Sequence, residues 1–302
     1  MTPVVAVIAP GAMGAAVGKR LVDNGLKVLT SLSGRSEATA ARAKAAGMVA
    51  ASDEEIAACD FVLSILPPGD ALSLAERFVP ALTKSNAKPV YVDCNAINPK
   101  TVERVVAVIA PTGCPFVDAG IIGPPPKPSP LNPPPQAGEG RVGAGTAGTG
   151  TRFYASGPAA SRFAALRVYG LDVRVLGGPI SAASALKMSY AGITKGTQAI
   201  GAAMMIAAMR AGNADDLMAE LQISQKEMLA WFRRALSTMP PKAYRWVAEM
   251  QEIAGFVADD PAARELYQGA ALFYERFAAD FEQGKKDAAA LAAFLAKQPS
   301  GG

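Results

Sequence analysis

The chain of 302 residues has no histidine, only three cysteines and only two tryptophans. Without histidine, the usual base of serine and cysteine hydrolases is missing, and so is the commonest ligand of transition metals. Proton transfer is left to Lys, Tyr, Asp, Glu or Cys. Cys59, Cys94 and Cys114 form no CxxC pair, and their odd number and wide spacing suit free thiols in a reducing compartment, with no structural zinc or other metal site. No signal-peptide pattern opens the chain, so a cytoplasmic protein is expected. Long uncharged apolar runs are also lacking. The one between Lys195 and Arg210 falls short of the roughly 18 residues a membrane span needs, which argues against a membrane partner. The net charge of +4 comes from scattered Lys and Arg without a dense block. That pattern argues against a nucleic-acid partner and suits an anionic small molecule.

Apolar residues are plentiful, at 50%, enough for sizeable cores in two domains. Residues 4–9 (VVAVIA) read as a buried parallel strand, because they are β-branched and apolar without alternation. Pro10, Gly11, Ala12, Met13 and Gly14 follow, then a helical pattern over 15–24. Strand, glycine turn and helix together form the context of a dinucleotide fingerprint, in which the backbone approaches a pyrophosphate at a helix N-terminus. Only Gly11 and Gly14 fit that pattern, and a plain glycine turn would use the same residues. A second strand over 26–32 ends without the Asp or Glu that would take the ribose hydroxyls of NAD(H). Ser33, Gly34, Arg35 and Ser36 stand there instead, a guanidinium and two hydroxyls suited to a 2′-phosphate. This favours NADP(H) over NAD(H), with a solvated loop arginine as the alternative.

Further strands are predicted at 61–66, 90–93, 115–118, 151–156 and 173–176, with helices at 37–46, 71–79, 101–110 and about 159–169. The alternation gives a Rossmann-type, doubly wound parallel α/β sheet over residues 1–180. By the rule that ligands bind outside the carboxyl ends of strands, the loops at 66–69 and 94–98 face the cofactor. A Pro- and Gly-rich stretch at 124–150 has too few large apolar residues to build a core and is read as an insertion, with a proline-rich ligand for a partner domain as the alternative.

Residues 181–211 read as one long helix, apolar nearly all round and therefore expected to be buried. It carries Lys187 and Lys195 and joins the sheet domain to an all-helical second domain over 181–302. Ser184, Lys187, Tyr190, Ala191 and Thr194 share one face by spacing, offering an ammonium, a phenol and two hydroxyls to a substrate. The alternative is a Lys187 that packs its stem and pairs at a surface. Ser224 and Glu227 have the spacing of a capping box. Trp231, Phe232, Tyr244, Trp246 and Met204, Met205, Met209, Met228 and Met250 are expected in the core, and the tail from Gln298 is expected to be disordered.

The order of VIAPGAMGAAVGKRLVDNG, GRS, the LPP turn, DCNAINPKT, FVDAGIIG and GGPISAASALKMSYAG resembles the β-hydroxyacid dehydrogenase superfamily, which includes 6-phosphogluconate dehydrogenase and the imine reductases. The resemblance implies that Gly11, Ala12, Met13 and Gly14 hold the cofactor pyrophosphate and that Ser33, Arg35 and Ser36 take the 2′-phosphate. Leu66, Pro67 and Asn95 would line the nicotinamide. Asp118 would begin the substrate-binding loop, continuing through Ile122 and Gly123, although the serine that holds a substrate carboxylate is absent. The catalytic lysine falls on Lys187, with Tyr190 beside it. Ala191 stands where the family has asparagine. The implied activity is NADP-dependent hydride transfer to or from a small hydroxyacid or carbonyl, with Lys187 as general acid or base, in a homodimer. Imine reduction and a non-catalytic NADP-binding regulator are the alternatives.

Overall fold

The computed structural model describes residues 2–127 and 150–297. The chain divides into two compact units, Met1–Lys187 and Met188–Gly302. The first contains β1 (Val4–Ile8), α1 (Ala12–Asp23), β2 (Lys27–Thr30), α2 (Glu37–Ala45), β3 (Val49–Ala50), α3 (Asp53–Ala57) and β4 (Phe61–Ser64). It continues with α4 (Ala71–Lys84), β5 (Val90–Asp93), α5 (Pro99–Ile109), β6 (Phe116–Ile122), β7 (Arg152–Ser156), α6 (Ala160–Ala164) and β8 (Asp172–Val175). These strands form one sheet in the order β3-β2-β1-β4-β5-β6-β7-β8.

The sheet is apolar on both faces, with Val5, Val7, Val28, Leu63 and Val92 in one core and Ala6, Ile8, Leu29, Val62 and Tyr91 in the other. Successive side chains of a strand point to opposite faces, so a sheet covered on both sides needs apolar residues at every position. That is why the central strands read as largely apolar runs. The expected doubly wound, parallel sheet is found, with one departure at its edge. β7 runs antiparallel to β6, and β8 is parallel to β7, so the last two strands are reversed. A parallel neighbour needs a crossover of a dozen or more residues, usually a helix, and the Pro-rich stretch after β6 has no sequence for one.

The ends of that stretch meet. Ile122 pairs with Arg152, Thr151 Oγ1 donates to Pro124 O, and Gly123 adopts φ +120° beside the Gly150 carbonyl. The expectations of an insertion and of a disordered tail fall largely on 128–149 and on 298–302, outside the described residues.

Helix α7 (Ala182–Ala211) starts in the first unit and continues in the second, where α8 (Ala214–Ser224), α9 (Lys226–Leu236), α10 (Ala243–Phe256), α11 (Pro261–Gln283) and α12 (Lys286–Ala296) follow. Trp246, Met250, Met205 and Phe232 are buried as expected, the ring of Phe232 occupying the space a side chain at Gly201 would need. Tyr244, Met204 and Met228 are exposed instead, at 62%, 60% and 39%. Lys195 pairs with Glu249, and its Nζ lies 5.1 Å from the Trp246 ring centroid, which accounts for one lysine of the long helix. The expected capping box does not form. Ser224 ends α8 with its Oγ donating to Glu220 O, and Gln225 precedes α9. A capping box is found at Ser52 and Glu55, opening α3, a helix too short to show periodicity.

Burial of α7 on all sides is also corrected. Leu186, Tyr190, Ile193, Ile200 and Met204 form an exposed stripe at helical spacing. Among the described residues no helix is long and apolar enough to cross a membrane, and no group of three His, Cys, Asp or Glu is placed to hold a metal ion.

Candidate cofactor and proton-transfer site

β1 delivers the chain to Gly11, which precedes α1 in an extended conformation. Among the described residues no side chain caps α1, and no acidic residue stands in its first turn, so the N–H groups of Ala12, Met13 and Gly14 and the positive end of the helix dipole suit an anion. A Cβ on Gly11 would meet nothing within 4 Å, whereas one on Gly14 would collide with the Ala9 carbonyl. Gly11 thus faces open space, and Gly14 permits the tight turn. The donor set and the opening fit a pyrophosphate.

Sequence reasoning missed Arg42. From α2 its Nε donates to Pro10 O at 3.4 Å and its Nη2 to Thr39 Oγ1 at 2.8 Å, placing a guanidinium beside the glycine turn. Its seven-residue distance from Arg35 gave no motif to find it by. Ser33 and Arg35 are exposed on the loop after β2, where Gly34 takes φ +69°. Ser36 is engaged in capping α2, its Oγ accepting from Thr39 N at 3.4 Å. A second missed residue, Arg77 of α4, donates to Ser31 Oγ at 2.8 Å while paired with Asp53, closing the end of β2.

At the end of β4, Leu66 is half-buried and Pro67 exposed. Asn95 lies beneath them rather than in the open wall. Its Oδ1 accepts from Leu66 N at 2.6 Å, its Nδ2 donates to Ser64 Oγ at 2.8 Å and to Asp93 Oδ2 at 3.1 Å, and the residue is 2% exposed. Asn95 therefore shapes the turn that Leu66 and Pro67 present.

The expected substrate loop is a strand. Phe116–Ile122 is buried throughout, so Ile122 packs inside and only Gly123 reaches the surface. Asp118 is corrected from a substrate contact to an anchor. Its Oδ2 accepts from Ser184 N at 2.7 Å and its Oδ1 from Ser184 Oγ at 2.6 Å, which fixes the first turn of α7. Burial raises Asp118 to about 6 against the opposing pull of the Ser184 bonds, and burial raises Asp93 to about 7.

Lys187 Nζ donates to Ile121 O at 2.7 Å, three residues beyond Asp118 on β6. The row of α7 side chains is not uniformly available. Ser184 is committed to Asp118, Ala191 is buried, and the Thr194 hydroxyl donates back to Tyr190 O at 2.8 Å. Tyr190 is 46% exposed. Of the proposed face, the Tyr190 phenol is exposed and the Lys187 amine is held by the Ile121 carbonyl.

Residues 4–127 match the family described as the NAD binding domain of 6-phosphogluconate dehydrogenase, and residues 208–277 match the domain of unknown function DUF1932. An uncharacterized 28.5 kDa protein from the 7S RNA 5′ region of Methanothermus fervidus is 27% identical over 199 residues, covering 65% of this chain and 68% of that protein. A conserved protein of unknown function, whose structure was described as similar to 3-hydroxyacid dehydrogenases, is 28% identical with a TM-score of 0.65, covering 95% of this chain and 98% of its own. The 3-hydroxyisobutyrate dehydrogenase of Mycobacterium tuberculosis, solved with L-serine, is 20% identical with a TM-score of 0.64, covering 97% and 99% of the two chains. The chain thus matches the NAD binding domain of 6-phosphogluconate dehydrogenase over residues 4–127 and DUF1932 over 208–277, and has the fold of the 3-hydroxyacid dehydrogenases.

Proposed function

We propose that this chain is an NADP-dependent oxidoreductase acting on a small hydroxyacid or the corresponding carbonyl, with Lys187 moving the proton. The observation that carries the reading is the bond from Lys187 Nζ to Ile121 O, at the carboxyl end of the strand next to β5 and in the unit that bears the glycine turn. A carbonyl acceptor fixes the position of an amine without taking its proton. When bound, the nicotinamide cofactor supplies or accepts the hydride. Ala12, Met13 and Gly14 hold its pyrophosphate, Arg35 and Arg42 with Ser33 receive the 2′-phosphate, and Leu66 and Pro67 border the nicotinamide. Lys187 gives a proton to the substrate oxygen in reduction and takes one in oxidation. Tyr190, three residues on, is the second proton-handling group. The experiment is a turnover assay of wild type and Lys187→Met with 3-hydroxyacids, aldehydes and cyclic imines, using NADPH and NADH.

A second reading, imine reduction, is favoured by one observation. The family's carboxylate-binding serine has no counterpart on β6, where Ile121 and Ile122 are 7% and 4% exposed. A substrate lacking a carboxylate has no need of that serine. Preference for imines over 3-hydroxyacids in the same assay supports it, and the reverse order removes it.

The exposed stripe Leu186, Tyr190, Ile193, Ile200 and Met204 supports a homodimer, because a row of large apolar side chains left in water favours association. Sedimentation equilibrium tests this, and a monomer at micromolar concentration contradicts it.

A further inference from the structure

Four polar residues cross the sheet interior at one level. Ser64 on β4 is in register with Asp93 on β5, Asp93 with Asp118 on β6, and Asp118 with Ser156 on β7. All four are 0% exposed. Residues in register on neighbouring strands point to the same face, and the strands lie about 5 Å apart, so two carboxyls stand side by side in a dry interior.

Their hydrogen bonds lead in opposite directions. Asp93 Oδ1 accepts from Asn95 N at 2.9 Å and Oδ2 from Asn95 Nδ2 at 3.1 Å, and Asn95 in turn holds Leu66 N. Asp118 accepts from Ser184 N and Oγ, three residues before Lys187, and from Ser156 Oγ at 3.4 Å. The row therefore links the turn at the end of β4 to the helix that carries the lysine.

We infer that Asp93 and Asp118 act as a buried pair of positioning residues in which, near neutral pH, Asp93 carries a proton and Asp118 is ionised, so that loss of the Asp93 proton sets two anions side by side and their repulsion displaces the Asn95–Leu66 turn and the α7 anchor together. Two ionised carboxyls this close in an interior repel each other, and one of them relieves this by holding a proton. The hydrogen bonds decide which. Both carboxyls accept bonds that favour the anion, but those on Asp118 from Ser184, at 2.7 and 2.6 Å, are shorter than those on Asp93 from Asn95, at 2.9 and 3.1 Å, so Asp93 is the one that keeps the proton. The groups facing Asp93 are Tyr91 and Cys94 of its own strand segment, Ser64, Asn95 and Asp118, and none is a cation. Asp118 faces Ser156 from β7 and Ala183 and Ser184 from α7. Of the two lysines on α7, Lys187 donates to Ile121 O and Lys195 pairs with Glu249. Burial pushes Asp93 to about 7 and Asp118 to about 6, in the same order.

The sign follows from linkage. A carboxyl whose folded pKa is raised contributes stability that is full below its unfolded value, near about 4, and is lost as pH rises toward about 7. The functional half of the inference rests on the proposed cofactor reading. The test measures melting temperature against pH, and NADPH affinity at roughly pH 6 and roughly pH 8, for wild type and Asp93→Asn. The wild-type melting temperature should fall between about pH 5 and about pH 7 and then level off, with the NADPH Kd rising about threefold to tenfold over the two affinity points. Asp93→Asn, with a neutral amide in place of the acid, should flatten both curves above about pH 6 and leave below it the contribution of Asp118, which burial alone raises to about 6.

Wild-type pH dependence retained in Asp93→Asn overturns the inference, as do flat wild-type curves. If the variant does not fold, an infrared titration of wild type decides. A protonated-carboxyl band that disappears between roughly pH 6 and 8 supports the pair, and no such band at the lower pH overturns it. If NADPH fails to bind at any pH while the melting curves behave as expected, the cofactor reading fails and the pair stands as an anchor. Binding without any pH response rejects the functional half alone.

Discussion

Gly120 on β6 and Lys187 on α7 approach so closely that a Cβ on the glycine would stand 3.1 Å from that of the lysine and 2.9 Å from the Ala183 carbonyl oxygen. The strand and the first turns of the helix are therefore in near backbone contact. Lys187 reaches Ile121 O because nothing larger than hydrogen separates them at Gly120. Gly120→Ala should push the helix off the strand, destabilise the protein by about 1–3 kcal/mol and lower turnover with it. Gly69→Ala, which meets nothing within 4 Å, is the control. Urea unfolding of both variants checks this, and an unchanged midpoint for Gly120→Ala contradicts the close packing.

Gly11 and Gly14 should behave differently, although both belong to the glycine turn. Gly14→Ala brings a Cβ into the Ala9 carbonyl, so the variant should lose both stability and cofactor binding. Gly11→Ala has space around it, so it should melt like wild type while weakening NADPH about tenfold or more, by filling the room left for the pyrophosphate. Calorimetric titration beside a thermal melt separates the two. Unaltered NADPH affinity in Gly11→Ala would count against a pyrophosphate at this turn.

Arg35 is exposed, and its proposed partner is the 2′-phosphate. Arg35→Ala should weaken NADPH about tenfold or more, the scale of a charged hydrogen bond, and leave NADH nearly unchanged. Arg42→Ala should weaken both cofactors, because that side chain also holds Pro10 of the glycine turn. Equal loss of NADPH and NADH in Arg35→Ala would remove its role in selecting the phosphate.

Most of the sheet was legible because its central strands are largely apolar runs bounded by glycine, proline or a helix pattern. The reversed edge was not, because the register of β7 is set by pairing with β6 across the Pro-rich stretch, and no periodicity records a pairing partner. The glycine turn and Lys187 stand out by residue type and order. The sequence placed Asn95, Asp118 and Ser184 in a ligand site, yet each is occupied by a neighbour distant in the chain, such as Leu66 for Asn95 and Ser184 for Asp118. Arg42 and Arg77 escaped notice for the complementary reason. A lone arginine on a helix looks solvated until the fold shows what it reaches. The exposed stripe of α7 was read as core because apolar residues all round a helix do not say whether one side meets protein or water.

Excision of residues 128–149 should leave the sheet intact. The flanking strands already pair as far as Ile122 and Arg152, and Gly123 lies against Gly150, so a short turn can close the gap in the same register. The shortened protein should melt within a few degrees of wild type, about the shift expected from 1 kcal/mol or less in a chain of this size. A large drop in melting temperature would show that the segment packs.

The most direct test of the account is single-turnover hydride transfer with Lys187→Met. Wild type should oxidise NADPH with at least one carbonyl, or reduce NADP+ with at least one 3-hydroxyacid. Lys187→Met should bind NADPH with unchanged affinity and transfer hydride about a hundredfold to ten-thousandfold more slowly, the range a positioned acid–base group contributes. Equal rates in the two proteins, or no turnover by wild type despite NADPH binding, would contradict the assignment of Lys187 as the proton-transfer residue of an oxidoreductase.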